Sequence, residues 1–258
     1  MSETDQVLYD IRDSVGWITF NRPEARNAFT FAMYDRLRDI CEGAQAGGKV
    51  RALVMRGAGG KAFGAGTDMS QFRAFSRPED AWDYEHRMER VFTAIERCPV
   101  PTIAAIEGAC TGGGAAIAAA CDLRVASPTL KFGFPVARTL GNCLSVANLA
   151  RLSELIGSGR VREILMTARL VEADEAKAVG LVSEIADDVE ARAGELARTV
   201  ASHAPLTLRA TKEGLRRLRE AAARVDDRDL VEMCYMSADF REGLEAFLSK
   251  RKPNWKGE

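Results

Sequence analysis

"CTGGGAAIAAACDLRVAS", Cys110–Ser127, decides how this chain is read. Three glycines end an apolar, strand-like run, an alanine-rich stretch with helical character follows at once, and "LRVAS" resumes as a strand. A strand that feeds a helix through glycine leaves the first N–H groups of that helix without intrahelical partners. Those groups, together with the helix dipole, favour negative charge. Glycine also permits unusual backbone angles and lets another group approach the main chain closely. Three explanations fit: a phosphate cradle, an oxyanion hole for a carbonyl oxygen that gains charge during reaction, or close helix–strand packing. "TGGGAA" lacks the Lys-Ser/Thr of a P-loop and the spacing of a dinucleotide fingerprint.

Working outward, "GKAFGAGTDM" (Gly60–Met69) repeats the grammar: strand, glycines, then a turn into polar residues from Thr67. The two glycine turns lie about 47 residues apart and could each offer one N–H to the same oxygen. Upstream, Val7–Tyr9 and Val15–Phe20 read as a hairpin. Thr30 is placed to cap a helix carrying Met33, Leu37, Ile40, Cys41 and Ala44. "ALVMRG" is a short buried strand, residues 79–97 a helix, and "TIAAIEGAC" the strand before the triplet. "KFGF", helices near 145–155 and 160–166, and "AVGLVSEI" complete the alternation. From Val189 onward only helices are expected: one before Pro205, one after it, then a break at Asp226 and Asp227 and a last helix to about Lys250. Strand–helix alternation implies crossovers and mostly parallel pairing.

With 258 residues, 47% of them hydrophobic, the chain can bury a sizeable core. Its net charge of −1 gives no global field toward nucleic acid or an anionic membrane. Six cysteines form no CxxC pair, and with only two histidines there is no HExxH or Cys/His metal spacing, so neither a disulfide framework nor a metal is expected. The polar start MSETDQVLYD does not read as a signal peptide, and no run of about 18 apolar residues suggests a membrane span. A cytoplasmic location is the expectation.

At this point the chain resembles the crotonase family, also called the enoyl-CoA hydratase/isomerase superfamily. The resemblance rests on "ITFNRPEARNAF", "KAFGAGTDM", "AAIEGACTGGG", "ACDLRVAS", "FGFP", "EADEAKAVGLVSEI" and "EGLEAFLSKRKPNWKG", in that order and over nearly the whole length. It implies an α/β fold, a spiral of ββα repeats (residues 1–200) that binds acyl-CoA, followed by a C-terminal helical trimerisation region (201–258). It further implies an acyl-CoA thioester substrate, a homotrimer or a hexamer built as a dimer of trimers, and no cofactor beyond the coenzyme A that the substrate carries. Neither nucleic acid nor a membrane is an expected partner. By motif position the resemblance places a backbone oxyanion hole at Thr67 and Gly113, stabilising a thioester enolate. It assigns coenzyme A contacts to Ala25, Arg26, Ala28, Lys61, Ala65, Asp68, Met69, Phe247 and Lys250.

Where hydratases of the family carry two glutamates, this chain has Ala116 and Val136; shifting the second position by a residue or two gives Ala137 or Arg138. Hydration needs an acid/base pair, each positioned group contributing about 10²–10⁴-fold. An efficient hydratase is therefore not expected. Isomerisation, decarboxylation, thioester hydrolysis or ring chemistry suits an oxyanion hole with few acids. A hydratase/isomerase of narrow specificity and a silent acyl-CoA-binding protein are the alternatives. Arg138 and Asn142, in "ARTLGNC" after the F-G-x-P turn, are the substitute catalytic candidates, with Thr139 and Cys143 beside them. Tyr84 and Glu85, bordering the apolar face of the 79–97 helix, are weaker ones. Asp68 and Asp122 read as structural acids, Glu107 as part of a turn, and His86 as solvated, since it points away from that apolar face.

Overall fold

The computed structural model of the protein describes residues 3–45, 48–222 and 226–257. Val7–Arg12 (β1) and Val15–Phe20 (β2) form an antiparallel hairpin, turned by Asp13 and Ser14 at positive φ. Phe31–Gly43 (α1) follows, and its cap is the expected one: Thr30 Oγ1 accepts the N–H of Met33 at 3.3 Å. The next three units repeat one plan. Ala52–Gly57 (β3) and Ala62–Gly64 (β4) lead to Pro78–Arg97 (α2). Thr102–Ile106 (β5) and Ala109–Thr111 (β6) lead to Gly113–Ala120 (α3). Leu123–Ala126 (β7) and Lys131–Gly133 (β8) lead to Val136–Thr139 (α4), Val146–Ile156 (α5) and Ser158–Thr167 (α6).

The first strand of each pair joins one sheet and the second joins another. The larger sheet runs β1-β2-β3-β5-β7-β10, where β10 is Glu184–Ile185; it is parallel from β2 onward. The smaller runs β4-β6-β8-β9, with β9 (Val171–Glu172) antiparallel to β8. The chain thus winds as a spiral of ββα turns. "TIAAIEGAC" is two strands, not the one expected. Gly108, at φ +63, turns the chain between the sheets, and a Cβ there would lie 2.2 Å from the Lys61 carbonyl oxygen.

Ala173–Ala178 (α7) and Val189–Ala201 (α8) close the spiral, and α8 covers the outer face of the larger sheet through Val189, Ala193 and Ala197 against Trp17 and Val54. The remaining helices are Pro205–Ala222 (α9), Arg228–Tyr235 (α10) and Ala238–Leu248 (α11). The single last helix expected from the sequence is therefore two. Ser237 caps the second by accepting the N–H of Phe240 at 2.9 Å. Phe240 and Leu244 pack with Phe72, Ala81 and Tyr235 inside this chain, whereas Leu206, Leu215, Leu218, Leu230, Met233 and Phe247 stay exposed.

One buried ionic network anchors α2. Glu96, 6% exposed, accepts from Arg151 of α5 at 2.8 Å and from Arg219 of α9 at 2.6 Å, and Arg151 also reaches Glu89 at 2.7 Å. Burial alone would raise the Glu96 carboxyl, but the two guanidinium groups hold it below its ordinary value. Removing one partner of a buried ion pair costs about 3–5 kcal/mol. Arg151→Met is therefore expected to lower unfolding stability by about 3 kcal/mol, read from urea midpoints, because Arg219 still faces Glu96. An unchanged midpoint would refute this account of how α2 is held.

Candidate active site

Two glycine turns meet at the ends of β4 and β6. Past β4 the chain bends at Gly66 (φ +100), and Phe29 pins this turn: its N–H bonds Gly66 O at 2.8 Å and its carbonyl accepts Asp68 N–H at 2.8 Å. Past β6, Gly112 sits at φ +53 and opens α3. A Cβ on Gly112 would lie 3.3 Å from Gly66 Cα, and one on Gly66 would lie 3.9 Å from Gly113 N. The two turns are thus in contact. The N–H groups of Thr67 and Gly113 have no protein acceptor among the described residues.

The other two glycines of the triplet serve packing. A Cβ on Gly114 would lie 2.3 Å from Gly64 O, and one on Gly113 would lie 1.9 Å from the hydroxyl oxygen of Tyr34. Close packing and an anion-ready turn are both present, and Gly113 takes part in both. Ala115 to Ala120 are all buried in the same crowded space. Tyr34 and Tyr84 each hydrogen-bond Thr67 Oγ1 at 2.9 Å, which fixes the Thr67 side chain beside its free N–H.

These turns open onto a cavity of about 570 Å³. Its wall includes Ala25, Arg26, Ala28, Ala65, Asp68 and Met69, with Phe247 and Leu248 of α11. It also includes Met88, Phe92, Ala116, Phe134, Val136 and Leu144, with Glu85, Asn142, Cys143 and Tyr235. Most coenzyme A candidates therefore share one wall with Thr67 and Gly113. Lys61 and Lys250 do not: both are exposed and neither lines the cavity. Lys61 precedes β4, at the end away from the turn, and Lys250 lies beyond the last turn of α11. Arg138 is also exposed and outside the wall, because α4 is a single turn that presents Val136 and Thr139 inward. Asn142 is in the wall, as is Ala116.

Asp68 behaves as a structural acid. It caps the turn at Met69–Phe72 by accepting Ser70 N–H and pairs with Arg22 at 3.0 Å. Burial would raise its carboxyl, but Ser70 and Arg22 hold it below the usual range. Asp122 accepts from Thr102 N at 2.8 Å and from Lys212 at 2.6 Å, and does not line this cavity. His86 is exposed.

Three polar groups of the wall form a relay. Asn142 Nδ2 donates to the Tyr235 hydroxyl at 3.0 Å, and that hydroxyl donates to Glu85 Oε1 at 2.7 Å. Asn142 Oδ1 is buried and has no partner among the described residues. Burial pushes the Glu85 carboxyl up to about 7; the Tyr235 bond opposes this, and the charges of Asp227 and Glu89 reinforce it. Burial also lifts the Tyr84 and Tyr235 phenols well above their usual value. Glu85 is thus the group in this wall whose proton affinity is brought to neutral pH. It stands with Met88 and Phe92 at i, i+3 and i+7 on α2, one face of the helix. That spacing was visible in the sequence, where Glu85 ranked only as a border position. Tyr235 carried no signal: it lies in a tail helix about 150 residues from its partner.

The model of the enoyl-CoA hydratase/isomerase family matches residues 10–258. The chain belongs to the crotonase superfamily. It is 32% identical to a putative enoyl-CoA hydratase/isomerase of Bacillus subtilis, over 98% of this chain and 99% of that one. It is 30% identical to the short-chain-enoyl-CoA hydratase of Clostridium acetobutylicum, over 97% of each. A methylmalonyl-CoA decarboxylase solved with 2-nitronate-propionyl-CoA superimposes with a TM-score of 0.87 at 28% identity, covering 98% of this chain and 99% of that one. This crotonase-fold chain therefore belongs to a family of acyl-CoA enzymes whose members are named as hydratases, isomerases and decarboxylases.

Proposed function

We propose that this crotonase-family protein isomerises enoyl-CoA thioesters by a 1,3-proton transfer in which Glu85 is the acid/base. The reading is carried by one observation: Glu85, in the cavity wall and bonded by the Tyr235 hydroxyl, has its carboxyl brought to about 7 by burial. Coenzyme A lies along Ala25, Arg26, Ala28, Ala65 and Met69. The thioester oxygen accepts the free N–H groups of Thr67 and Gly113, which stabilise the charge that develops on it. Glu85 takes the α-proton of a 3-enoyl thioester, giving a dienolate, and returns a proton to the γ-carbon. One group suffices for both steps, because the carboxyl protonated at the α-carbon can exchange with solvent and then give a proton to the γ-carbon. The Tyr235 hydroxyl, held by Asn142, orients the carboxylate and supports its charged form.

Hydration would need a second group to activate water. Decarboxylation would bring a further carboxylate toward Glu85, and Arg26 is the one cation among the described residues of the cavity wall. The test is conversion of 3-hexenoyl-CoA into the conjugated 2-enoyl thioester, followed by its absorbance, with α- and γ-deuterium incorporation in D₂O. Absence of both conversion and exchange would remove the proposal.

Crotonyl-CoA hydration is expected to be negligible. Ala116→Glu alone should change little, whereas Ala116→Glu with Val136→Glu should raise hydration above the parent, since both positions face the cavity. Loss of the conjugated absorbance checks all three proteins; turnover by the parent at about 1–10³ per second, ordinary for enzymes, would contradict it. We also propose a homotrimer or hexamer. The exposed Leu206, Leu215, Leu218 and Met233 form apolar surface on α9 and α10 that this chain does not cover. Light scattering at micromolar concentration should give three or six copies, and a monomer would count against it.

A further inference from the structure

We propose that Cys143 and Cys234 form an oxidation site, a thiol pair that closes to an intramolecular disulfide and displaces the Asn142–Tyr235–Glu85 relay. The pair is built from two segments. Cys143 lies in the stretch between α4 and α5 and lines the cavity, and Cys234 lies in the last turn of α10. The two side chains pack against the same cluster, with Phe72, Tyr235 and Phe240. Cys143 Sγ also stands 3.7 Å from the Leu230 carbonyl oxygen. In an α-helix that carbonyl takes the N–H of the residue four on, here Cys234. Helical side chains lean toward the N-terminus, so the Cys234 side chain tilts back along the turn that Cys143 touches.

Both thiols are partly accessible, whereas Cys41, Cys98, Cys110 and Cys121 are buried. The neighbouring Cys143 thiol brings Cys234 down to about 7, and Cys234 together with burial pushes Cys143 up. Cys234 is therefore the nucleophile at neutral pH, since the thiolate is the reactive form. With hydrogen peroxide as oxidant, the Cys234 thiolate attacks one peroxide oxygen, giving a sulfenic acid and hydroxide. Cys143 sulfur then attacks the sulfenic sulfur and water leaves. Two thiols and one peroxide become one disulfide and two waters.

The neighbours of these cysteines couple the bond to the chemistry. Asn142 precedes Cys143, and Tyr235 follows Cys234; these two already share a hydrogen bond at 3.0 Å. A disulfide sets the sulfurs about 2.0 Å apart, closer than two unbonded sulfurs stand, so closing it draws the two segments together. Displacing catalytic groups by about 1 Å can cost roughly 10²-fold in rate. This second half rests on the proposed role of Glu85.

The experiment treats the whole protein with hydrogen peroxide and maps cysteines by mass spectrometry, while exchange of the α-protons of butanoyl-CoA is followed in D₂O. The expected result is a Cys143–Cys234 disulfide, at least a tenfold loss of exchange, and recovery with dithiothreitol. Cys234→Ser should keep the activity of the reduced parent and lose its sensitivity to peroxide. A map showing Cys41–Cys98, intermolecular bonds or only sulfinic acids would overturn the site. A Cys143–Cys234 bond that leaves exchange unchanged would overturn its coupling to the relay. If the reduced protein shows no exchange at all, the Glu85 reading fails, while the map still decides the thiol pair.

Discussion

Glu85→Gln is expected to lower enoyl isomerisation by about 10²–10⁴-fold, the contribution of one positioned acid/base group. The amide keeps the shape and still accepts the Tyr235 hydroxyl, so the cavity and the affinity for a saturated acyl-CoA should change little. Both would be read together, turnover by the conjugated absorbance and affinity by calorimetry. The parent should also show a pH profile that the variant lacks. The base must be ionised to take the α-proton, so kcat/KM should rise as pH increases through about 7. A variant that retains turnover and profile would show that another group moves the proton.

The same carboxyl should tie stability to pH, and the sign follows from its shift. Its proton is held more tightly in the folded protein, near 7, than at the ordinary value of 4.5. Below 4.5 both states are protonated and burial of the neutral group carries no charge penalty. Between 4.5 and 7 the unfolded chain loses its proton first, so stability falls, and it levels off above 7. The full difference is at most about 3 kcal/mol, at about 1.4 kcal/mol per pH unit. Glu85→Gln should abolish that decline, making the variant more stable than the parent at pH 8 while far less active. Urea unfolding at pH 5 and pH 8 would show it, and equal pH dependence in both proteins would contradict it.

Gly113→Ala is expected to reduce turnover about 10²–10³-fold, the loss seen when one oxyanion donor is misplaced. The added Cβ would sit 1.9 Å from the Tyr34 hydroxyl oxygen, which is itself bonded to Thr67 Oγ1 at 2.9 Å. One methyl group therefore disturbs both donors, the Gly113 N–H directly and the Thr67 turn through Tyr34. Tyr34→Phe removes the clashing atom and leaves the next contact, the ring carbon at 3.1 Å. The double variant should accordingly recover at least tenfold over Gly113→Ala. A cycle in which the two effects simply add would separate Tyr34 from the oxyanion turn.

Much of the architecture was legible in the sequence because it rests on local rules. The hairpin at 7–20, the Thr30 cap, the strand–helix alternation and the helical tail follow from periodicity, capping and turn chemistry, which act over a few residues. So did both glycine turns, since their unusual backbone angles need glycine whatever surrounds them. The break inside "TIAAIEGAC" was not legible, because only the Lys61 carbonyl, packed against Gly108, shows that the two halves belong to different sheets. Tertiary structure also decided which polar residues face the cavity. Arg138 and Lys61 carry the right charge for their expected roles, but the orientation of a single helical turn and the direction of β4 put them outside it. Glu85 looked like the rim of an amphipathic helix until α10 laid Tyr235 over it. Its proton affinity is set by burial and by Tyr235, Asp227 and Glu89, of which Tyr235 and Asp227 lie more than a hundred residues away. A sequence states which groups can titrate; the desolvation and the neighbouring charges that choose among them exist only once the chain has folded.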